Sequence, residues 1–228
     1  MLKNNVENNV ENIVTRIIRL DVNFIQNMIS TYKTKDRKSQ IHELKTAIYQ
    51  CRNQLLSEIL ATDISNSSFL TTEYGKPYLE DYSKFNINHS HSQKHYVLAT
   101  SQSICDVGVD IEDLNRKVRF EALAKHAFHP EEYEAWAITD FDPLYWFKVW
   151  TTKEAVLKAS GLGIRLSLNE LNTHAHMSHD GGRCEHPLIG IFAYQNFNLG
   201  QAMLTVAWRS EDSCKGFAFP IIQINRLD

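Results

Sequence analysis

The chain has 228 residues, 43% of them hydrophobic and 22% charged, with a formal charge of −3. That length suits one large domain or two small ones with a real core. The charge balance speaks against a basic nucleic-acid binder, and no apolar run approaches the roughly 18 residues of a membrane span.

The Asn-rich opening, "MLKNNVENNVENIV", lacks the apolar stretch of a secretion signal and reads as a frayed leader. "IVTRIIRL" (Ile13 to Leu20) reads as a first strand, and Asp21 as the cap of a helix through "VNFIQNMIS". Between Asp36 and Leu60, Ile41, Leu44, Ile48, Leu55, Ile59 and Leu60 recur at roughly helical spacing. Short strand candidates follow: "SFLTTEY", "KFNINHS", "HYVLATS" and "CDVGVDIE". Helical patterns return in "VRFEALAKHAF", "PEEYEAWAI" and "DPLYWFKVWTTKEAVLKAS". The last has Asp142 as N-cap, Pro143 at the first helical position, and Gly161 and Gly163 at its exit. The tail is strand-like again in "HPLIGIFAYQN", "AMLTVAWRS" and "GFAFPIIQIN". The expected class is α+β, as two closely packed halves, 1–105 and 106–228. Cys51, Cys105, Cys184 and Cys214 form no C-x-x-C pair and are expected to be reduced thiols of a cytoplasmic protein.

Four constellations can carry chemistry. In "VGVDIED" an extended chain points Val107, Val109 and Ile111 one way and Gly108, Asp110 and Glu112 the other. Gly108 leaves room beside the acids, and two close carboxylates call for a positive partner. A hard cation such as Mg²⁺ meets that need; an exposed edge strand with solvated acids accounts for the same spacing. In "WTTKEAVLKASGLG", Glu154 and Lys158 form an i, i+4 pair flanked by Lys153. They read either as a surface ion pair or as a third metal carboxylate with two lysines for phosphate. "GKPYL" suggests a turn presenting Lys76, and in "FNINHSH" His89 and Ser90 can donate to phosphate, although a lone His on a strand is commonly structural. "HAHMSHDGGRCEH" offers His174, His176, His179, Cys184 and His186 as metal ligands, but at no zinc spacing, and Asp180-Gly181-Gly182 resembles a hairpin tip.

The order of these motifs, from Gly75 to Gly163, resembles that of the 4′-phosphopantetheinyl transferases of the Sfp type. W-x-x-K-E-A-x-x-K is the most specific of the set, and "FHPEEYEAW" is similar to the family's stretch between the last two motifs. The resemblance implies two similar halves related by a pseudo-twofold around a central cleft that binds coenzyme A. The first half would carry the coenzyme A nucleotide contacts, and the second the Mg²⁺ site and catalytic helix. It implies transfer of the 4′-phosphopantetheine arm to a serine of an acyl or peptidyl carrier protein, with 3′,5′-ADP leaving. A non-catalytic coenzyme A-binding protein on the same fold is the alternative.

Carried over by position, Asp110, Glu112 and Glu154 match the family's Mg²⁺ ligands, with Mn²⁺ an open substitute. Lys153 and Lys158 match its lysines near the pyrophosphate and the cleft mouth, and His89 a His on coenzyme A phosphate. Gly75, Lys76 and Pro77 match the motif near the adenine nucleotide, and Arg52 matches, more loosely, an Arg for the 3′-phosphate. Glu132 matches an acid linked to serine activation, beside Glu154 as the other candidate base. Asn88 stands where the family usually has Ser, and its amide still offers a polar contact. "NRKVRF" (Asn115 to Phe120) is expected to help dock the carrier, or else to be a solvated helix start. A monomer, with no nucleic-acid or membrane partner, is expected.

Overall fold

A computed structural model describes residues 16–29, 31, 36–64, 69–210 and 219–227. The expected leader, Cys214 and the start of "GFAFPIIQIN" lie outside these residues. In the N-terminal part, strand β1 (Ile17–Phe24) runs into one helical turn, α1 (Ile25–Met28), and then α2 (Arg37–Leu60). A small hairpin, β2 (Phe69–Thr71) and β3 (Pro77–Leu79), precedes β4 (Asn86–His91) and β5 (His95–Ser101). The C-terminal part opens with β6 (Gly108–Asp113) and continues with α3 (Phe120–Ala127), α4 (Pro130–Ile138) and α5 (Pro143–Ser160). It ends with β7 (Gly181–His186), β8 (Gly190–Asn198), β9 (Ala202–Arg209) and β10 (Ile221–Leu227). Among the described residues no helix is long and apolar enough to cross a membrane.

The strands form two larger sheets, ordered β10-β1-β5-β4 and β6-β9-β8-β7. Residue 106 separates them except at β10, which pairs parallel to β1 with Ile221 opposite Ile17. The sheets share one core: Ile18, Leu20 and Val22 of β1, Val97 of β5, Val109 and Ile111 of β6, and Leu204 and Val206 of β9. Their other faces are covered by helices, α2 through Ile48, Leu55 and Leu56, and α5 through Ala155, Val156 and Ala159. The result is a mixed α+β architecture.

Several local expectations are corrected. Asp21 does not cap a helix: it lies within β1, fully buried, and accepts from Arg19 at 2.8 Å and from Asn225 of β10 at 3.0 Å. Ile41 is 49% exposed, so the apolar stripe of α2 starts one turn later. Gly181 and Gly182 sit inside β7 opposite Gln195 and Tyr194, and the hairpin turns at 187–189. A Cβ on Gly182 would lie 2.5 Å from the Tyr194 hydroxyl, so the glycine is there to admit that ring.

The boundaries of α5 follow from its caps. Asp142 accepts from Leu144 N at 3.0 Å and Tyr145 N at 3.3 Å, and Gly161 closes the helix in the left-handed conformation at φ 74°. A buried polar cluster fixes the helix on its sheet. Thr151 Oγ1 lies 2.7 Å from Thr205 Oγ1, and Asn196 Nδ2 donates to Thr152 Oγ1 at 2.8 Å. Gly108 lets β6 lie backbone to backbone on the helix, because a Cβ there would fall 2.2 Å from Ala155 O and 2.3 Å from Ala159 N. Its missing side chain makes room for α5, not for a ligand beside the acids.

Candidate functional site

The two sheets meet at their edge strands. An edge strand leaves backbone groups unpaired, and here side chains take them up. Asn88 Oδ1 on β4 accepts from Val109 N of β6 at 2.9 Å, and Lys158 Nζ on α5 donates to Val109 O at 3.3 Å. Lys158 also donates to Ser90 Oγ at 2.8 Å and Asp110 Oδ1 at 2.7 Å. The motifs on β4, β6 and α5 are thus joined through one ammonium group.

Helix geometry decides which residues of "WTTKEAVLKASGLG" face this junction. Positions three, four and seven apart share a face: Glu154, Leu157, Lys158 and Gly161 line a cleft of about 490 Å³. Tyr74, Gly75, Lys76, Pro77 and Asn88 line it as well. Lys76 is held there by the exit of α5, donating to Ala159 O at 2.7 Å, and Asp106 stands 3.8 Å away. Burial lowers its pKa.

Lys153 is rotated off that face and is fully buried. Its Nζ reaches Glu132 Oε2 at 2.6 Å, Leu168 O at 2.8 Å and Leu171 O. Glu132, 2% exposed, also accepts from His129 N at 2.8 Å, Thr173 N at 2.8 Å and Thr173 Oγ1 at 2.5 Å. Both residues are thus placed in the core and bonded to each other, and neither lines the cleft. Their geometry caps α4 and ties the 168–173 segment, whose Leu168 is a cleft wall, to α5.

Asp110, Glu112 and Glu154 point from β6 and α5 toward one region. Burial and the charge of Asp110 raise the pKa of Glu154, with Lys158 opposing and Glu112 adding to the rise. Glu112 is likewise raised, first by burial, while Arg116 opposes through a hydrogen bond. Asp110 Oδ2 is buried without a partner. Even so, among the described residues no group of three His, Cys, Asp or Glu side chains converges closely enough to hold a metal ion. Asp110 and Glu112 are instead engaged by Lys158 and Arg116.

His89 and Arg52 lie next to this cluster. Burial, with Arg52 and Lys158 nearby, pushes the His89 imidazole down to about 4, so the ring is neutral at pH 7. Its Nδ1 is buried with no partner. The Arg52 guanidinium lies over the Phe69 ring at 3.7 Å and donates to Asn53. Among the described residues it has no carboxylate partner.

The His-rich segment does not gather into a site. His176 and His179 rings are 4.6 Å apart, but Cys184 is buried with its thiol pushed up to about 12. Lys148 organises the loop, donating to the carbonyls of His176, Met177 and His179 and to Asp180. In "NRKVRF", Val118 and Phe120 turn inward onto the Trp146 cluster, leaving Lys117 and Arg119 exposed. Cys51, Cys105 and Cys184 are free thiols.

The structure gives Arg116 of the expected docking segment a partner that was not foreseen, Glu112, and adds His126, Leu166 and Ser167 in the cleft wall. The i, i+4 spacing of Glu112 and Arg116 was visible, but it straddles the end of a strand, where the helical rule gives no warrant.

Residues 106–202 match the model of the 4′-phosphopantetheinyl transferase superfamily. The chain is similar to 4′-phosphopantetheinyl transferase Sfp of Bacillus subtilis (strain 168), 31% identical over 124 residues, which is 54% of each chain. It is also similar to 4′-phosphopantetheinyl transferase HetI of Nostoc sp., 35% identical over 115 residues and 48% of each chain. To a putative 4′-phosphopantetheinyl transferase of Haemophilus influenzae it is 32% identical over 143 residues, 61% of this chain and 60% of the relative. The chain spans about half the length of the first two relatives.

Proposed function

We propose that this chain transfers the 4′-phosphopantetheine arm of coenzyme A to a serine hydroxyl of an apo carrier protein. The observation that carries the reading is one cleft lined by the Gly75-Lys76-Pro77 turn, Asn88, Glu154 and Lys158. These come from separate stretches of sequence: Glu154 and Lys158 fall within the residues 106–202 that match the superfamily, and Gly75 to Pro77 and Asn88 lie before them.

In the proposed reaction the serine Oγ attacks the β-phosphorus of the coenzyme A pyrophosphate. A new P–O bond forms to Oγ, the bridging P–O bond breaks, and 3′,5′-ADP leaves with the electron pair. Arg52, a half-buried cation free of any described acid partner, suits the 3′-phosphate. His89, neutral, offers a hydrogen bond rather than an ion pair. Lys76 and Lys158 both line the cleft and place fixed positive charge there, where it needs little reorganisation. Two groups lining the cleft can take the serine proton, Glu154 and His126. Glu132, with both oxygens bonded, does not suit that role.

The donor set is of the kind a hard cation takes, although its three acids as placed do not converge closely enough to hold one. It is all oxygen, and Asp110 Oδ2 is buried and unpartnered. Asp110, Glu112 and Glu154 would hold Mg²⁺, or Mn²⁺ by the same chemistry. Once bound it would neutralise phosphate charge that builds on the leaving group. Carrier proteins of the acyl or peptidyl kind are the proposed partners, and a cytoplasmic monomer the proposed form.

A second reading, a coenzyme A-binding protein without catalysis, draws on Asp110 and Glu112 already being neutralised by Lys158 and Arg116. Intact mass separates the two. Purified protein is incubated with coenzyme A, Mg²⁺ and an apo carrier. A gain of one phosphopantetheine arm on the carrier supports transfer. No gain on any of several carriers, with coenzyme A still bound, sinks it in favour of the binding reading.

A further inference from the structure

The two lysines that line the cleft differ in what they already hold. Lys158 Nζ uses its three N–H groups on Ser90 Oγ, Val109 O and Asp110 Oδ1. Lys76 Nζ makes one hydrogen bond among the described residues, to Ala159 O at 2.7 Å. Asp106 Oδ1 stands 3.8 Å from it, near enough for charge attraction but outside hydrogen-bond range. The other oxygen, Asp106 Oδ2, is taken by Arg209 Nε at 2.5 Å. Each oxygen of the Asp106 carboxylate thus faces a different cation. The pKa of Lys76 reflects the same neighbours: burial lowers it first, Asp106 raises it and Arg209 lowers it.

Arg209 is itself fixed. Its Nη1 donates to Ile189 O at 2.9 Å, and its guanidinium lies over the Phe192 ring at 4.8 Å. Both partners belong to the C-terminal sheet and its β7–β8 turn, whereas Lys76 belongs to the turn between β2 and β3. Asp106 sits where the two parts of the chain join, at φ 52°. Its side chain is 36% exposed and that of Arg209 39%, so the pair contributes little to stability. What it does decide is where the carboxylate points.

We infer that Arg209 is a positioning residue for the cleft: it holds the Asp106 carboxylate off Lys76 and so leaves the Lys76 ammonium open to an anionic group of the substrate. The inference rests on the proposed binding of coenzyme A, whose phosphates would supply that group. Without Arg209, Asp106 has to move only about 1 Å to form a hydrogen-bonded ion pair with Lys76. That closed pair competes with phosphate for the same N–H groups. Apparent affinity is reduced by whatever fraction of the protein is held in a non-binding arrangement.

The test is coenzyme A titrated by calorimetry into the full chain, for wild type, Arg209→Met, Asp106→Asn and the double variant. The KM for coenzyme A and kcat are measured beside it with an apo carrier. Asn tolerates the left-handed backbone at 106 and removes the charge. Arg209→Met is expected to bind coenzyme A roughly fivefold or more weakly, the lower end of usual coupling between linked sites. Its KM for coenzyme A should rise while kcat changes less. With Asp106→Asn already present, loss of Arg209 should have a much smaller effect, because no carboxylate is left to close on Lys76. A residue that merely held the β7–β8 turn in place would weaken binding equally in both backgrounds. If Arg209→Met aggregates, Arg209→Gln provides the same comparison. Arg209 variants that bind as tightly as wild type overturn the inference, as do variants whose loss is undiminished by Asp106→Asn. A wild type that binds no coenzyme A overturns it together with the coenzyme A reading. A wild type that binds coenzyme A but modifies no carrier sinks transfer alone, and the calorimetric comparison still decides the inference.

Discussion

Lys153 Nζ and Glu132 Oε2 stand 2.6 Å apart, with the two side chains 0% and 2% exposed. Burial lowers the pKa of Lys153, and Glu132 opposes that through charge and a hydrogen bond. A buried pair of this kind is costly to break from one side, because the remaining charge has nowhere to go. Glu132→Gln is therefore expected to lower stability by roughly 3 kcal/mol or more, visible as a lower urea midpoint. Activity per folded molecule should be largely retained. A variant as stable as wild type but inactive would move Glu132 into the chemistry after all.

Gly108 faces the backbone of α5, not the cleft. With a Cβ only 2.2 Å from Ala155 O, strand or helix must shift. Gly108→Ala is expected to cost about 1–3 kcal/mol, the usual penalty of overpacking, and Gly108→Val more. Both should show it as loss of soluble folded protein before any selective loss of coenzyme A binding. A Gly108→Val protein with the wild-type thermal midpoint would contradict the close packing.

His89 predicts a pH dependence. Its folded pKa, about 4, lies below the ordinary value of 6.5 because of burial first and the charges of Arg52 and Lys158 second. Between those values the unfolded chain binds a proton that the folded chain refuses. Stability from this group is therefore complete above about 6.5 and is lost as pH falls toward about 4, at up to about 1.4 kcal/mol per pH unit. Chemical denaturation at pH 7.5 and pH 5 should show wild type losing more stability than His89→Gln. Parallel losses in the two proteins would mean that His89 is not held neutral.

The exposed cations beside the site are Lys117 and Arg119, since Arg116 is engaged with Glu112. If this surface steers an acidic carrier, Lys117→Glu with Arg119→Glu should raise the apparent KM for the carrier severalfold. The effect should shrink at high salt, and the KM for coenzyme A should not change. An unchanged carrier KM at low salt would remove this surface from docking.

How much of this was legible in the sequence depends on how local the determining interactions are. The limits of α4 and α5 were readable because Pro130, Asp142, Pro143 and Gly161 act on backbone groups within a few residues of themselves. The alternation of β6 correctly put Val109 and Ile111 in the core and Asp110 and Glu112 on the other side. Asp21 was misread as a cap because its partners include Asn225, brought in by a strand from the far end of the chain. The glycines 181 and 182 were misread as a hairpin tip because their reason is the Tyr194 ring across the sheet.

The same division runs through the candidate site. By itself the sequence determined which residue types are present, their order, and the periodicities that place Glu154 and Lys158 on one face of α5. Only the tertiary structure decided what each charge meets. It turned Lys153 into the core against Glu132, set Arg116 on Glu112, and closed the edge of β6 with Asn88 and Lys158. The reason is physical: backbone periodicity is set by neighbours along the chain, whereas a buried charge is satisfied by whichever opposite charge or carbonyl the packing of distant elements delivers.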